Sequence, residues 1–260
     1  MLPILQTAAT GLVAQRFKID ALANNVANVD TGGFKRMRVS LRDVGYVPAS
    51  TIAPEIAPEQ DAWVGIGVQV ASSQMMFDQG ALQFTGNGFD LAISGEGFFQ
   101  VKLADGTTGY TRGGSFGLDA SRRLVDANGR ILLPGITMPE DAVVYNVAKN
   151  GEVTVLREGE ESPEVVGQLQ LARFANPGGL LSAGQGVFKP TAASGESTLG
   201  QPGSAGYGEV MSGALETSNV DIADEMTSLV QAMRAYQLTL KVVKSLDDIL
   251  ALANQSGTTI

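Results

Sequence analysis

Apolar residues recur every seven positions at both ends of this chain and every second position through parts of its middle. At the start, Leu5, Leu12, Ile19 and Val26 fall seven apart, and Ala8, Ala9, Leu22 and Ala23 widen the same stripe. This is the spacing of an amphipathic helix that packs against other helices. Pro3 suits a first helical turn, where its missing N–H costs nothing. Asp30-Thr31-Gly32-Gly33 stops the pattern, so a helix is predicted over residues 2–27. At 1.5 Å per residue it is roughly 40 Å long. The other end repeats the theme more strongly. Ile222, Leu229, Tyr236, Val243 and Leu250 are seven apart, and Met226, Met233 and Leu240 fill the second seam position. Asp247 interrupts that seam and Leu246 partly replaces it. Ser218, Asn219 and Asp221 are candidate N-caps, with Asp224 and Glu225 in the first turn where the helix dipole favours them. The predicted helix spans about 32 residues, roughly 48 Å.

Between these helices the periodicity changes. Phe89, Leu91 and Ile93 alternate, as do Leu169 and Leu171. Asn128-Gly129 and Asn150-Gly151 each separate two short apolar runs, the strongest short-range hairpin signal, with positive φ expected at both turn positions. No helix of consequence is predicted between residues 139 and 205. The fold class expected is α+β: an antiparallel β-rich middle with N- and C-terminal helices forming a coiled-coil-like module. The chain divides into residues 1–33 (first helix of that module), 34–70 (an extended connector), 71–208 (the β-rich domain) and 209–260 (the second helix). Pro48, Pro54 and Pro58 make residues 47–61 the most extended part of the connector. Residues 191–208, with five Gly, read as flexible or as a chain of turns. Neither helix can bury its stripe unaided. Two packings stay open: both helices on the middle domain, or the two chain ends together, shared among subunits.

Composition narrows the chemistry. Of 260 residues 32 are Gly, none is Cys and none is His. Thiol nucleophiles, thiolate or imidazole metal sites and Ser-His-Asp catalysis are therefore excluded. The net charge of −9 argues against nucleic acid as a partner. The charge is uneven: residues 1–45 carry a net +3 and residues 207–260 a net −4, so the two ends attract at short range. The first charge is Arg16, the wrong order for a secretory signal, and the longest charge-free run, residues 62–77, is too short and too polar to span a membrane. Gly65-Ile66-Gly67 and Gly95-Glu96-Gly97 do not complete a dinucleotide fingerprint and read as turns. The acidic run 158–164 lacks the alternation of a calcium loop. Glycoside cleavage needs only two carboxylates. Glu96 is the least implausible acid, with Asp90 as a possible partner, so a carboxylate-dependent cell-wall glycosidase is carried as an alternative. No catalytic residue, cofactor site or metal site is assigned.

One stretch is more specific than any of these. Ala23-Asn24-Asn25-Val26-Ala27-Asn28-Val29-Asp30-Thr31-Gly32-Gly33-Phe34-Lys35-Arg36 resembles the amino-terminal signature of the flagellar basal-body rod and hook family. Gly213-Ala214-Leu215-Glu216-Thr217-Ser218-Asn219-Val220-Asp221, with Gln231 and Arg234-Ala235-Tyr236 in the helix that follows, is similar to that family's carboxy-terminal pattern. Gly95–Gln100 and Tyr110-Thr111-Arg112-Gly113-Gly114-Ser115-Phe116 look like motifs of its β domain, so the resemblance covers essentially the whole chain. The length falls below that of a hook subunit, and the extended stretch at 47–64 matches the distal-rod branch, with proximal rod subunits as the other candidates within the family.

The resemblance implies a structural protein and no enzyme: a subunit that self-assembles into a rigid helical tube, transmits motor torque to the hook and lets export substrates pass. It implies terminal helices lining the inner layers of that tube, ordering only against neighbouring subunits, and a β domain outside. The implied partners are further copies of the chain, neighbouring rod and hook subunits, the ring proteins around the rod and the flagellar type III export apparatus. The implied place is the basal body, where the rod crosses the periplasm, reached without a cleavable signal peptide. Subunit packing is assigned to Leu5, Leu12, Ile19 and Val26 on the first helix, and to Ile222, Met226, Leu229, Met233, Tyr236, Leu240, Val243 and Leu250 on the second. The family motif residues are Asn24, Asn25, Asn28, Gly33, Phe34, Glu216, Thr217, Ser218 and Asn219. The three asparagines have two readings, as helix caps and turn formers or as inter-subunit hydrogen-bonding groups. A β-domain binding module with packed helices is the remaining alternative.

Overall fold

The structure is a computed structural model that describes residues 2–52, 63–157 and 162–257. Most of the Pro-containing stretch, residues 53–61, therefore lies outside the described residues, as does the side chain of Leu250. Two compact units cut across the sequence blocks. One gathers Met1–Ala27, Met37–Gln74 and Asp221–Ile260; the other gathers Asn28–Arg36 and Met75–Val220. The amino-terminal signature is thus divided: its helical part belongs to the first unit and its glycine turn to the second.

In the first unit, helix α1 (Leu2–Ala27) packs on helix α3 (Ile222–Gly257) and on strand β1 (Met37–Asp43). Strand β2 (Tyr46–Pro48) leads into a single helical turn, α2 (Ala49–Ile52), and pairs antiparallel with β3 (Trp63–Gly65). Strand β4 (Val68–Met75) pairs with β1. The region expected to be an extended connector is thus largely two β-ribbons, because Val39 and Leu41, like Val68 and Val70, alternate with polar neighbours. Both long helices begin where their sequences predict. Asp221 caps α3, its Oδ1 accepting from Ala223 N at 2.8 Å and Asp224 N at 3.2 Å. Ser218 and Asn219, the other two cap candidates, do not cap: they lie before the helix and bond elsewhere.

The two helices pair within one chain, but no coiled coil is confirmed. The buried positions of α1 are Ala14, Ala21, Leu22 and Asn25, and those of α3 are Glu225 and Ala232. A Cβ at Gly11 would lie 4.0 Å from Thr239 Cγ2, so small residues set the approach on that side. Leu5, Leu12, Ile19 and Val26 are only half-buried, as are Leu229, Tyr236, Leu240 and Val243, and Ile222, Met226 and Met233 are exposed. A seven-residue spacing of apolar positions marks a face; the close fit here goes to alanines and a glycine offset from it.

The second unit is built on antiparallel β-structure, with one 3-10 turn at Pro177–Gly179. Its strands are β5 (Leu82–Phe84), β6 (Leu91–Ser94), β7 (Phe99–Lys102), β8 (Thr108–Thr111), β9 (Phe116–Leu118), β10 (Leu124–Asp126) and β11 (Ile131–Leu132). They continue with β12 (Ala142–Val147), β13 (Glu152–Arg157), β14 (Glu164–Gln168), β15 (Leu171–Arg173), β16 (Leu181–Gly184) and β17 (Val187–Lys189). β18 (Thr198–Gly200), β19 (Glu209–Ser212) and β20 (Ala214–Glu216) complete it. Seven strands form one sheet in the order β16-β17-β8-β7-β11-β10-β9, β12-β13-β14 form another, and β19 and β20 pair with β6 and β5. The core between them holds Leu91, Ile93, Phe99, Val101, Leu132, Val153, Val155, Leu171 and Val210. A second cluster holds Phe98, Tyr110, Phe174 and Phe188; Phe77 meets Phe98 and Phe188 edge to face, and Tyr110 meets Phe174 the same way.

Both Asn-Gly hairpins form, with a different turn from the expected one. Ala148 N donates to Glu152 O and Gly151 N to Ala148 O, closing a three-residue loop with only Gly151 at positive φ (+82°). Gly129 (φ +76°) does the same between β10 and β11. A three-residue hairpin needs one left-handed position, which Gly supplies, so the asparagines keep ordinary backbone angles.

Candidate functional site

The two family signatures meet in the second unit around a buried carboxylate. Strand β20 pairs with β5, setting Glu216 opposite Leu82 and turning its side chain inward among fully buried groups. Lys35 Nζ lies 2.6 Å from Glu216 Oε1, both side chains having 0% exposure. Arg112 Nη1 lies 3.3 Å from Glu216 Oε2. Gly80 N also donates to Oε1 (2.9 Å), and Gly33 N donates to the Glu216 carbonyl (2.8 Å). Lys35 gives a second hydrogen bond to Asp78 O (2.7 Å). Arg112 Nη2 donates to Gly95 O (2.8 Å), and its guanidinium stands 5.4 Å over the Phe98 ring. Burial pushes both the Lys35 ammonium and the Arg112 guanidinium below their ordinary pKa values, and Glu216 opposes each shift. One carboxylate thus holds two buried cations.

The remaining signature residues complete the seat. Gly33 has φ +70°, and a Cβ there would lie 2.6 Å from Gly113 N, so both the backbone angle and the close approach require glycine. Phe34 N donates to Thr31 O, and Phe34 O accepts from Asn219 N. Asn219 Oδ1 accepts from Arg36 N (2.8 Å), while its amide donates to Met76 O (2.8 Å) and Asp78 O (3.0 Å). Thr217 N and Oγ1 both donate to Ala81 O. Ser218 Oγ accepts from Val220 N, closing a local turn. Asn28 Oδ1 accepts from Thr31 Oγ1 in the turn that follows α1.

Asn25 has a different task. It is fully buried in the first unit, where its Oδ1 accepts from Met37 N (2.8 Å) and its amide donates to Met37 O (2.9 Å) and Glu225 Oε2 (3.2 Å). It satisfies both backbone groups of Met37 and one oxygen of a buried carboxylate, joining α1, β1 and α3. Asn25→Ala is expected to destabilise this unit by about 2–4 kcal/mol, since three hydrogen bonds go and buried groups are left unpaired. Denaturant unfolding followed by helical circular dichroism checks this. Asn24 is exposed.

The outer surface of the helix pair is apolar in two stripes. Ile222, Met226, Val230 and Met233, spaced four, four and three, share one flank of α3 and are exposed. Leu238, Val242, Ile249 and Leu252 are exposed on the other flank, and α1 adds Val13 and Phe17. Ile222, Met226 and Met233 are legible as seam positions; Val230 and the second flank are not, because they lie outside the two seams counted from Ile222 and from Met226. Lys35 and Arg112 sit inside the quoted motifs, yet nothing in the residues around them marks them as site residues. A lysine in a Gly-Phe-Lys-Arg turn looks solvated until its partner, 181 residues away, is placed beside it.

The carboxylates considered for hydrolysis are otherwise engaged. Glu96 has a side chain 70% exposed and paired with Arg173 at 2.8 Å. Asp90 accepts from Thr85 Oγ1 (2.6 Å) and Asn87 Nδ2 (3.2 Å).

Three family profiles match the chain. Residues 5–35 match flagella basal body rod protein, residues 92–155 the flagellar hook protein FlgE/F/G D1 domain, and residues 211–256 the flagellar basal body rod FlgEFG protein C-terminal region. The chain is 41% identical to the flagellar basal-body rod protein FlgG of Borreliella burgdorferi, over 98% of each chain. It is 38% identical to FlgG of Caulobacter vibrioides, over 96% of this chain and 98% of that one. With the flagellar basal-body rod protein FlgF of Escherichia coli the identity is 29%, over 95% of each.

Proposed function

The chain belongs to the flagellar basal-body rod protein family, of the FlgG type, and from that premise we propose that it is a structural subunit of the distal rod, polymerising through the exposed flanks of its helix pair. The observation that supports this packing is the pair of apolar stripes on α3, uncovered in one chain although α1 is already in place. Covering them takes a neighbour. A contact between two different patches that does not close on itself propagates as a helical tube. Burying a Met or Leu of such a stripe contributes about 1.5–3 kcal/mol. The helices pair within the chain, so assembly covers the flanks of a formed pair and need not order isolated ends.

In this reading the tube transmits motor torque to the hook and leaves a passage for export substrates. Its partners are further copies of the chain, adjoining rod and hook subunits, and the ring proteins around the shaft. The chain reaches the basal body through the flagellar type III apparatus without a cleavable signal, and the rod crosses the periplasm. It carries out no catalysis. The β2–β3 ribbon, which flanks the Pro-containing stretch, adds a brace between neighbours through exposed Tyr46 and Trp63.

Trp63 is the chain's one tryptophan and is 62% exposed, so it reports on the brace directly. Raising the concentration of purified protein is expected to give rod-shaped particles by electron microscopy, with Trp63 emission moving to shorter wavelength as they form. Protein that stays monomeric in sedimentation at every concentration would defeat the polymer reading. Rods with unchanged emission would defeat the brace and leave the helix packing standing.

A further inference from the structure

We propose that the Lys35–Glu216–Arg112 cluster is a two-part lock: the segment Asn28–Arg36 seats in the second unit only after β20 has paired with β5 and carried Glu216 into place. The argument rests on what each charge has around it. Lys35 Nζ has two acceptors, Asp78 O and Glu216 Oε1, and only the second is charged. A fully buried ammonium needs a charged partner as well as a hydrogen bond. Arg112 is held without Lys35, by Gly95 O, by the Phe98 ring and by Glu216 itself. Before Glu216 arrives, seating Lys35 would bring a second cation next to Arg112 in a dry site. Repulsion and desolvation both oppose that step.

The dependence is one-sided. Glu216 is set by backbone pairing, with Ala214↔Phe84, Leu215↔Gln83 and Glu216↔Leu82. Gly80 N and Arg112 satisfy both of its carboxylate oxygens without Lys35. The carboxy-terminal strand can therefore close first, while the amino-terminal segment cannot. Once seated, the segment gains the Gly33 N to Glu216 O bond and the Arg36 N to Asn219 Oδ1 bond, both to residues of the same carboxy-terminal signature. The two ends of the chain are thereby recognised by each other, and the second unit is incomplete if either end is missing.

Hydrogen exchange on the full-length chain, read by mass spectrometry, tests the asymmetry. Lys35→Met is expected to raise exchange in residues 28–36 while residues 213–219 keep their protection. Glu216→Gln is expected to raise exchange in both segments, roughly 100-fold or more, while β7 and β13 stay protected. Equal loosening of both segments by Lys35→Met would overturn the one-sided lock, and so would retained protection of residues 28–36 in Glu216→Gln. Pulse labelling during refolding of the unsubstituted chain gives a readout independent of any variant. Residues 213–219 are expected to gain protection before residues 28–36, and the reverse order would refute the proposal.

Discussion

Replacing Glu216 with glutamine is expected to destabilise the second unit by about 3–5 kcal/mol, the cost of leaving buried charges without their counter-ion. Glutamine keeps the shape, so the change reports the charge. Lys35, at 0% exposure, and Arg112 would then lose the one carboxylate they share, keeping carbonyls, one amide oxygen and a ring as direct partners and only the weaker attraction of Asp78 on Lys35 and Glu96 on Arg112. For a unit of this size each kcal/mol is worth about 2–4 °C in Tm, so scanning calorimetry should show the second unit melting roughly 10 °C lower. A companion variant separates charge from packing. Lys35→Met, Arg112→Met and Glu216→Leu together remove all three charges and keep apolar volume, and buried ion clusters replaced in this way are often as stable as before. Recovery in the triple variant alongside loss in Glu216→Gln would show that uncompensated charge is what destabilises. Equal loss in both would assign the effect to side-chain hydrogen bonding at position 216, such as the bond from Gly80 N, instead.

Met226→Asp is expected to abolish polymerisation while leaving the monomer folded. Met226 is 46% exposed on the first flank of α3, so the substitution breaks little within one chain. In a polymer every copy would carry the charge into an apolar contact. Loss of about 2–3 kcal/mol of burial raises the critical concentration roughly 30- to 150-fold, and desolvating the carboxylate adds to this. Leu229→Asp should also block assembly, but Leu229 is half-buried in the helix pair, so that variant is expected to weaken the first unit as well. Sedimentation for assembly and circular dichroism for folding separate the two. Normal rods from Met226→Asp would exclude this flank from the subunit contact.

These two expectations draw on different kinds of information. The flank that holds Met226 is visible in the sequence, where Ile222 opens one seven-residue series and Met226 and Met233 belong to the second. Periodicity along one helix identifies an apolar face because side-chain direction follows from the helical repeat. It does not say what covers that face: Leu12 and Leu229 share the seam spacing and turn out half-covered, whereas Met226 is open. Asn25 was legible as part of a motif, yet its three partners lie on β1 and α3, so neither of its two readings, as a cap or as an inter-subunit group, describes what it does.

The sequence by itself determined where both long helices begin and where the first ends, Asp221 as one of three cap candidates, the hairpin positions at Gly129 and Gly151, and the membership of both ends in one family; the second helix, expected at about 32 residues, runs for 36. All of these depend on residues within a few positions of one another, where backbone geometry and side-chain spacing act directly. Tertiary structure decided that the amino-terminal signature splits between two units, that the ribbons occupy the supposed connector, and that Glu216 holds Lys35 and Arg112. Those outcomes depend on which of many chemically similar groups are brought together across as many as 181 residues. Local propensity carries no term for that choice; it is made by the summed packing and desolvation of the whole chain.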